Sequence, residues 1–225
     1  MTLYVLDLFC GAGGCSVGYH QGFTAAGIDV HIVGVDINPQ PNYPYQFIQA
    51  DATTFPLERF NLIHASPPCQ AFTTMSNRWR NKGGKADSHV DLIAATRARL
   101  ERTGAPWVIE NVPGARRHMR SPFTLTGGMF GLGVHRPRLF ETSEMVMLPN
   151  PAGPPEGVLG VYGKMDGRLL WSRSDGSEQR AARTLEEASA AMGVDWMSWD
   201  ELREAIPPAY TAYIAGQLLP SVVAA

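Results

Sequence analysis

Cysteine is scarce: the 225-residue chain holds three, Cys10, Cys15 and Cys69, with no C-x-x-C pair and no even-numbered framework. That excludes a disulfide-stapled scaffold and a cysteine-based zinc site, and it suits free thiols in a reducing compartment. Long apolar runs are missing too. No stretch approaches a bilayer span, and Met1 to Leu8, though apolar, carries no basic leader, so a soluble cytoplasmic chain without a membrane partner is expected. Charge of one sign is also lacking, since 19 Lys and Arg stand against 21 Asp and Glu for a formal net charge of -2. A nucleic-acid surface must then be local. The six histidines, His20, His31, His64, His89, His118 and His135, follow no metal-ligand spacing; no metal is expected, and surface or capping roles are assigned to them.

What is present is an ordinary globular composition, 44% hydrophobic and 18% charged, long enough for one domain with a small appendage. Leu3 to Phe9 reads as a buried strand stopping at Cys10-Gly11-Ala12-Gly13-Gly14, with a helix following to about Ala26. Val30 to Val35 and Tyr45 to Ala50 read as strands ending at Asp36 and Asp51. Leu62 to Ala65 is a strand emptying into Ser66-Pro67-Pro68-Cys69-Gln70. Asp91 to Arg102 has helical spacing, and Trp107 to Ile109 is a buried strand ending at Glu110-Asn111. Strands alternating with helices predict a mostly parallel sheet with right-handed crossovers. In such sheets ligands bind beyond the carboxyl ends of the strands, where Asp36, Asp51, Cys69 and Glu110 would converge. Beyond Phe140 the pattern loosens into a Pro- and Gly-rich stretch, read as a small lobe. Thr184 to Met192 is then read as a helix with Thr184 as N-cap, and Ile206 to Leu219 as another with a Pro207-Pro208 start.

Single features are weak. Gly11-Ala12-Gly13-Gly14 on its own is more often only a tight turn, and Asp36 or Asp51 alone is as readily a turn or cap aspartate as an acceptor for ribose hydroxyls or an adenine amine. Ser66-Pro67-Pro68-Cys69-Gln70 is stronger, because two prolines after a buried strand stiffen the turn that presents a thiol, and inert cysteines sit within strands or helices.

The order of these segments resembles the DNA cytosine-5 methyltransferase family over most of the chain. Asp7-Leu8-Phe9-Cys10-Gly11-Ala12-Gly13-Gly14 is similar to the first cofactor motif, Val35-Asp36-Ile37 and Asp51-Ala52-Thr53 to the second and third. Ser66-Pro67-Pro68-Cys69-Gln70 resembles the nucleophile motif, Glu110-Asn111-Val112 the glutamate motif, Arg136-Pro137-Arg138 the paired-arginine motif, and Ile206-Pro207-Pro208 the closing motif that folds back beside the first. The resemblance implies an α/β, Rossmann-like S-adenosylmethionine-dependent methyltransferase core at 1–140 and 184–225, with a reduced target-recognition lobe at 141–183. It implies S-adenosylmethionine as cofactor, S-adenosylhomocysteine as product, no metal, and duplex DNA containing cytosine as partner, in a prokaryotic or phage-like setting. Cys69, Glu110, Arg136 and Arg138 are the implied catalytic set. Asp7, Phe9, Gly11, Ala12, Gly13, Gly14, Asp36, Ile37, Asp51, Ala52 and Pro68 are the implied cofactor contacts.

The chemistry fits these residue types. Cytosine C5 is too poor a nucleophile to take a methyl group until a thiolate adds at C6, and a free cysteine with a pKa of ~8.5 needs help to ionise. Glu110 would hold ring N3 and the exocyclic amine, and the arginines would supply positive field. The target base must leave the duplex stack, so a mobile element is needed; the Ala71 to Ser88 loop, with Gln70, Ser76, Arg78, Arg80, Lys82 and Lys85, is the expected nucleic-acid contact. Arg116, Arg117, His118 and Arg120 are a second basic cluster. Departures from the family pattern are Val134 for a usual Gln, Asp36 for Glu, Glu204 for Asn, and a lobe so short that a short or permissive recognition sequence is expected. Three alternatives remain open: a transfer-RNA cytosine-5 methyltransferase, a non-catalytic cofactor- or DNA-binding regulator, and a nicotinamide-dependent Rossmann enzyme, which leaves the Pro-Pro-Cys loop unexplained.

Overall fold

Leu3, Val5, Leu6 and Leu8 are fully buried in β1 (Thr2–Leu8), as a strand covered on both faces requires. The computed structural model describes residues 1–68, 92–150, 157–172 and 178–224. Within them β1 is an inner strand of a seven-stranded sheet with β2 (Asp29–Asp36), β3 (Gln46–Gln49), β4 (Leu62–Ala65), β5 (Trp107–Asn111), β6 (Phe123–Leu125) and β7 (Arg138–Thr142), in the order β3-β2-β1-β4-β5-β7-β6. Strands β1 to β5 run parallel, and β7 is antiparallel to both β5 and β6. With α1 (Gly14–Ala25) and α2 (Ile93–Leu100) on opposite faces, this is the expected Rossmann-like α/β arrangement. The chain turns from one side of β1 to the other between β2 and β4, so a topological switch point opens at the carboxyl ends of β1 and β4.

The C-terminal segment supplies α3 (Leu185–Met192), α4 (Trp199–Glu204) and α5 (Pro208–Ala224). Thr184 caps α3 by accepting the Glu187 N–H, and Ser198 with Glu201 forms a reciprocal capping box on α4. Helix α5 returns to pack on α1. The approach is so close that a Cβ on Gly18 would lie 2.1 Å from the Pro208 carbonyl oxygen and 2.0 Å from Thr211 Oγ1. Gly14 and Gly22, one turn to either side, meet Ile206 and Ala212 in the same way. The Thr211 hydroxyl also donates to the Cys15 carbonyl at 2.8 Å.

A second sheet, β8 (Val158–Gly160), β9 (Leu169–Ser172) and β10 (Glu178–Ala181), has the order β8-β10-β9. It falls inside the 141–183 segment, whose first residues, Glu141 and Thr142, close β7 in the main sheet. Buried Gln179 organises it: Oε1 accepts from Tyr162 and Trp171, and Nε2 donates to the Leu159 carbonyl. The small sheet shares an apolar cluster with α3 and α4, including Leu159, Val161, Ala188, Met192 and Leu202.

On the opposite face, Arg97 of α2 grips Glu141 of β7. The pair is bidentate, Nη2 also donates to the His118 carbonyl at 2.8 Å, and Glu141 Oε2 accepts the Arg120 N–H at 2.8 Å. Side-chain exposures of 5% and 3% put both charges out of water, where removing one partner strands the other. Arg97→Ala is therefore expected to cost ~3–5 kcal/mol in chemical denaturation. Two glycine substitutions should differ in sign: Gly18→Ala forces α1 from α5 and should lower the melting temperature, an overpacking loss of ~1–3 kcal/mol. Gly216→Ala on the exposed side of α5, where an added Cβ meets nothing within 4 Å, should raise it by up to ~1 kcal/mol through helix propensity.

Candidate active site

Successive residues of a strand face opposite ways, so each buried strand has one side turned to α1 and α5. On that side the residues change from apolar to polar toward the carboxyl ends: Leu3, Val5, Asp7 in β1; Leu62, His64 and then Ser66 in and after β4; Val108 and Glu110 in β5. The parallel register pairs Asp7 with His64 and His64 with Val108. Asp7, His64 and Glu110 are nevertheless at most 5% exposed. Buried polar groups in strands need partners, and here Asp7 has Ser16, His64 has Tyr19 and Ser66, and Glu110 faces Arg138.

The loop after β1 bends through left-handed backbone at Phe9 (φ 58°), Gly11 (φ 49°) and Gly13 (φ 87°). It is tied down from three directions. The Cys10 N–H reaches the Val35 carbonyl, the Gly11 N–H donates to Asp36 Oδ2 at 3.1 Å, and the Trp196 indole N–H donates to the Ala12 carbonyl at 2.8 Å. Asp36 Oδ1 accepts the Asn38 N–H at 2.9 Å, which fixes the carboxylate while leaving each oxygen a further lone pair. Next to it Ile37 is 65% exposed. Asp51 is exposed and is turned by Thr53, whose N–H and hydroxyl both donate to Oδ1; these bonds lower its pKa. An open loop at Gly11, where a Cβ would meet nothing within 4 Å, two oriented carboxylates and an exposed aliphatic side chain fit a nucleoside with hydroxyls and a flat ring. Ala12 and Ala52 contribute differently: both side chains are buried in the core, and the Ala52 carbonyl accepts from Arg99. Asp7 lies beneath the loop. The Ser16 hydroxyl donates to its Oδ2 at 2.5 Å and also meets the Tyr43 hydroxyl at 2.6 Å, while Oδ1 has no hydrogen-bond partner among the described residues.

Glu110 lies across from Arg138, whose Nε is 3.2 Å from Oε1. Among the described residues that oxygen accepts no well-directed hydrogen bond, so the contact with Arg138 is an ion-pair approach. Burial pushes the Glu110 carboxyl up, and Arg138, Ser66 and Arg136 pull it back. The next residue, Asn111, donates from Nδ2 to the Pro67 carbonyl at 2.9 Å, tying the end of β5 to the start of the Pro-Pro turn. His64 is fully buried, contrary to the surface or capping role expected for it. Its Nδ1 is 2.9 Å from the Tyr19 hydroxyl and its Nε2 is 2.9 Å from Ser66 Oγ. Burial lowers its pKa to about 3, so the ring stays neutral.

The structure thus brings Asp7, Phe9, the glycine loop, Asp36, Asp51 and Glu110 to one rim, with Pro68 exposed beside them. Arg138 joins Glu110. Arg136 spends its guanidinium elsewhere, donating to the carbonyls of Ala205, Val161, Leu202 and Arg203, which caps the C-terminal end of α4 and clasps it to the small sheet. Cys69, Gln70, Ser76, Arg78, Arg80, Lys82 and Lys85 lie outside the described residues. Tyr19, His64, Ser66 and Tyr43 were not read as site residues. The available signal was a histidine inside an otherwise apolar four-residue strand. Among the described residues no cluster of His, Cys, Asp or Glu could hold a metal ion, and no helix is long and apolar enough to cross a membrane.

Burial is the main cause of a further shift: it raises Asp7 from 3.8 to about 7, with Asp36 and Glu110 adding to it and Ser16 opposing. A carboxyl that keeps its proton in the fold but loses it when unfolded stabilises the fold fully below about pH 4. That contribution is lost as pH rises toward 7. Asp7→Asn should accordingly gain on the native protein in unfolding free energy between those limits; parallel pH dependences of the two proteins in urea titrations would contradict the shift.

A family model described as C-5 cytosine-specific DNA methylase matches residues 3–125. No curated protein matches the sequence. A methyltransferase of Entamoeba histolytica superposes with a TM-score of 0.57 at 13% identity, covering 100% of this chain and 98% of that one, a likeness of fold. An RNA methyltransferase from Salinibacter ruber, solved with S-adenosyl-L-homocysteine, reaches a TM-score of 0.30 at 14% identity over 66% of this chain and 86% of its own, too low to bear on this one. With the matched span running from β1 to β6 and enclosing both the glycine loop and Glu110, the chain belongs to the C-5 cytosine-specific DNA methylase family and is a cytosine methyltransferase.

Proposed function

We propose that the chain methylates C5 of cytosine in duplex DNA, with S-adenosylmethionine as methyl donor and Cys69 as the attacking nucleophile. The observation that carries this reading is the buried Glu110, raised in pKa by burial and flanked by Arg138. Its neighbour Asn111 grips the Pro67 carbonyl two residues before Cys69. One strand end thereby holds the acid and is tied to Pro67, two residues ahead of Cys69 in the sequence.

The cofactor would be held by the glycine loop, with Asp36 accepting from ribose hydroxyls, Ile37 against the adenine face and Asp51 toward its amine. Bound there, S-adenosylmethionine supplies an electrophilic methyl group. The protein's own residues activate the base. The Cys69 thiolate forms a bond to C6, and the C5–C6 electron pair is delocalised toward N3, where the Glu110 carboxyl shares its proton; the ring becomes an enamine whose C5 is nucleophilic. After C5 gains the methyl group, a base takes its proton as the C6–S bond breaks, and the proton shared with N3 returns to Glu110, which restores the aromatic ring and the thiolate. Arg138 holds Glu110 in place, and Arg136, through its grip on α4, positions the strand that bears Arg138. The base reaches this depth only by leaving the duplex stack, and the Ala71 to Ser88 segment, with Gln70, Ser76, Arg78, Arg80, Lys82 and Lys85, would contact the phosphates on either side.

Duplex DNA carrying 5-fluorocytosine tests the covalent step, because fluorine cannot leave as the C5 proton does. The native protein with S-adenosylmethionine should form an adduct that survives denaturation, and Cys69→Ser none. Glu110→Gln should bind cofactor and DNA but lose ~10²–10⁴-fold in kcat/KM. Transfer of tritiated methyl groups to structured RNA and not to duplex DNA would move the substrate to RNA; no transfer to either would end the enzymatic reading.

A further inference from the structure

We propose that the cavity between the 54–60 segment and the end of α2 is a second ligand site that takes a nucleoside phosphate, with three arginines for the phosphate and two phenylalanines for the flat ring. It lies apart from the methyl-transfer site and does not depend on the function proposed above.

The cavity measures about 670 Å³, within the range of sites that enclose a small molecule. Arg59, Arg99 and Arg102 line it against a single carboxylate, Glu58, together with Phe55 and Phe60. Three cations against one anion leave positive charge in excess. Residues 57–60 lead into β4 and residues 102–105 into β5, so the cavity opens at the amino ends of these strands. The glycine loop, Asp36 and Glu110 occupy the carboxyl ends. A base presented to Glu110 enters from that other edge of the sheet, and the duplex bound there does not supply the anion that these arginines lack.

The fold has not used up the arginines. Among the described residues the side chains of Arg59 and Arg102 have no hydrogen-bond or ion-pair partner, whereas Arg120, Arg168 and Arg203 each pair with a carboxylate. Arg99, partly buried, donates from Nη1 to the Ala52 carbonyl at 2.8 Å and from Nη2 to the Phe55 carbonyl. Those two bonds fix its guanidinium and leave the rest of its five N–H groups to spend. Burial and Arg102 both work against the Arg99 charge, and Asp51 and Glu58 offset them only in part. An anion in the cavity would relieve that repulsion.

The backbone carries a separate signal. Arg59 stands at φ 74°, a left-handed conformation that is unfavourable for a residue with a Cβ. Strain of this kind clusters where a side chain is placed for binding, and here it sets a third guanidinium on a cavity that already holds two. Guanidinium forks match phosphate oxygens, and arginine and phenylalanine both stack on flat rings. Glu58 disfavours a ligand that is anionic throughout and suits one with a hydroxyl or ring N–H to donate. A nucleoside phosphate combines these features.

Guanosine diphosphate is the probe, titrated calorimetrically into the protein in excess S-adenosylhomocysteine so that the cofactor site is blocked. It should bind, with pyrophosphate and guanosine each weaker by ~10-fold or more, and Arg102→Ala should weaken it on the same scale, that of one charge-assisted contact. Arg59→Gly keeps the left-handed turn and removes the guanidinium. It should weaken the nucleotide while raising the melting temperature, an opposition that a purely structural arginine does not produce. Arg116→Ala, outside the cavity, should change neither. Absence of guanosine diphosphate binding overturns the proposal, as does binding no tighter than that of pyrophosphate or an equal loss in Arg116→Ala. If a single-stranded oligonucleotide loses affinity in Arg102→Ala while guanosine diphosphate does not bind, the arginines contact nucleic acid and the nucleotide site is refuted.

Discussion

A carboxyl group buried at the end of a fully covered strand is the constraint around which this molecule is arranged. Glu110 could not sit in β5, 5% exposed, without a cation and donors brought from other parts of the chain, since an uncompensated buried charge costs several kcal/mol. Arg138 comes from β7, which must run antiparallel to β5 to place its first residue beside the carboxyl. Ser66, which lowers the pKa of the carboxyl, comes from the end of β4. The order of the central strands is thus the order in which the partners of one side chain are supplied.

The same logic extends outward. Arg138 is useful only if the bend before β7 is rigid, and Arg136 at φ 32° is held there by the carbonyls at the C-terminal end of α4 and by the Tyr210 hydroxyl, which donates to the Arg136 carbonyl at 2.9 Å. Tyr210 belongs to α5, and α5 is placed by its backbone-to-backbone approach to α1 across Gly18. Helix α1 in turn carries Ser16 and Tyr19, which satisfy Asp7 and His64. Residues far apart in sequence close one circuit of contacts around the switch point, and the glycine loop hangs from it through the Trp196 bond to Ala12. The distant C-terminal helices are therefore part of the site's support.

Much of this was legible in one dimension. The strands β1, β2, β4 and β5 announce themselves because parallel strands buried on both faces need unbroken apolar runs, and Thr184 declares its cap because a side-chain oxygen must meet the free N–H groups of a helix start. Strand β7 was not read, since Arg138-Leu139-Phe140-Glu141-Thr142 mixes two charges with its apolar residues and those charges are buried only because Glu110 and Arg97 are waiting. The small sheet was read as an irregular lobe; its strands are three and four residues long and depend on Gln179 for cohesion. That Gly14, Gly18 and Gly22 admit the backbone of α5 emerges only from the packed helix pair.

Residue types and their order along the chain were enough to state the fold class, the cofactor loop and the acid at the end of β5, because local periodicity and turn chemistry act over a few residues. Which arginine faces the acid, and that a buried neutral histidine stands behind it, depended on contacts between residues tens of positions apart. Arg136 and Arg138 are nearly equivalent as sequence. They part company in space because a strand's alternation and an antiparallel register turn one toward Glu110, while the bend before β7 hands the other to the carbonyls at a helix end.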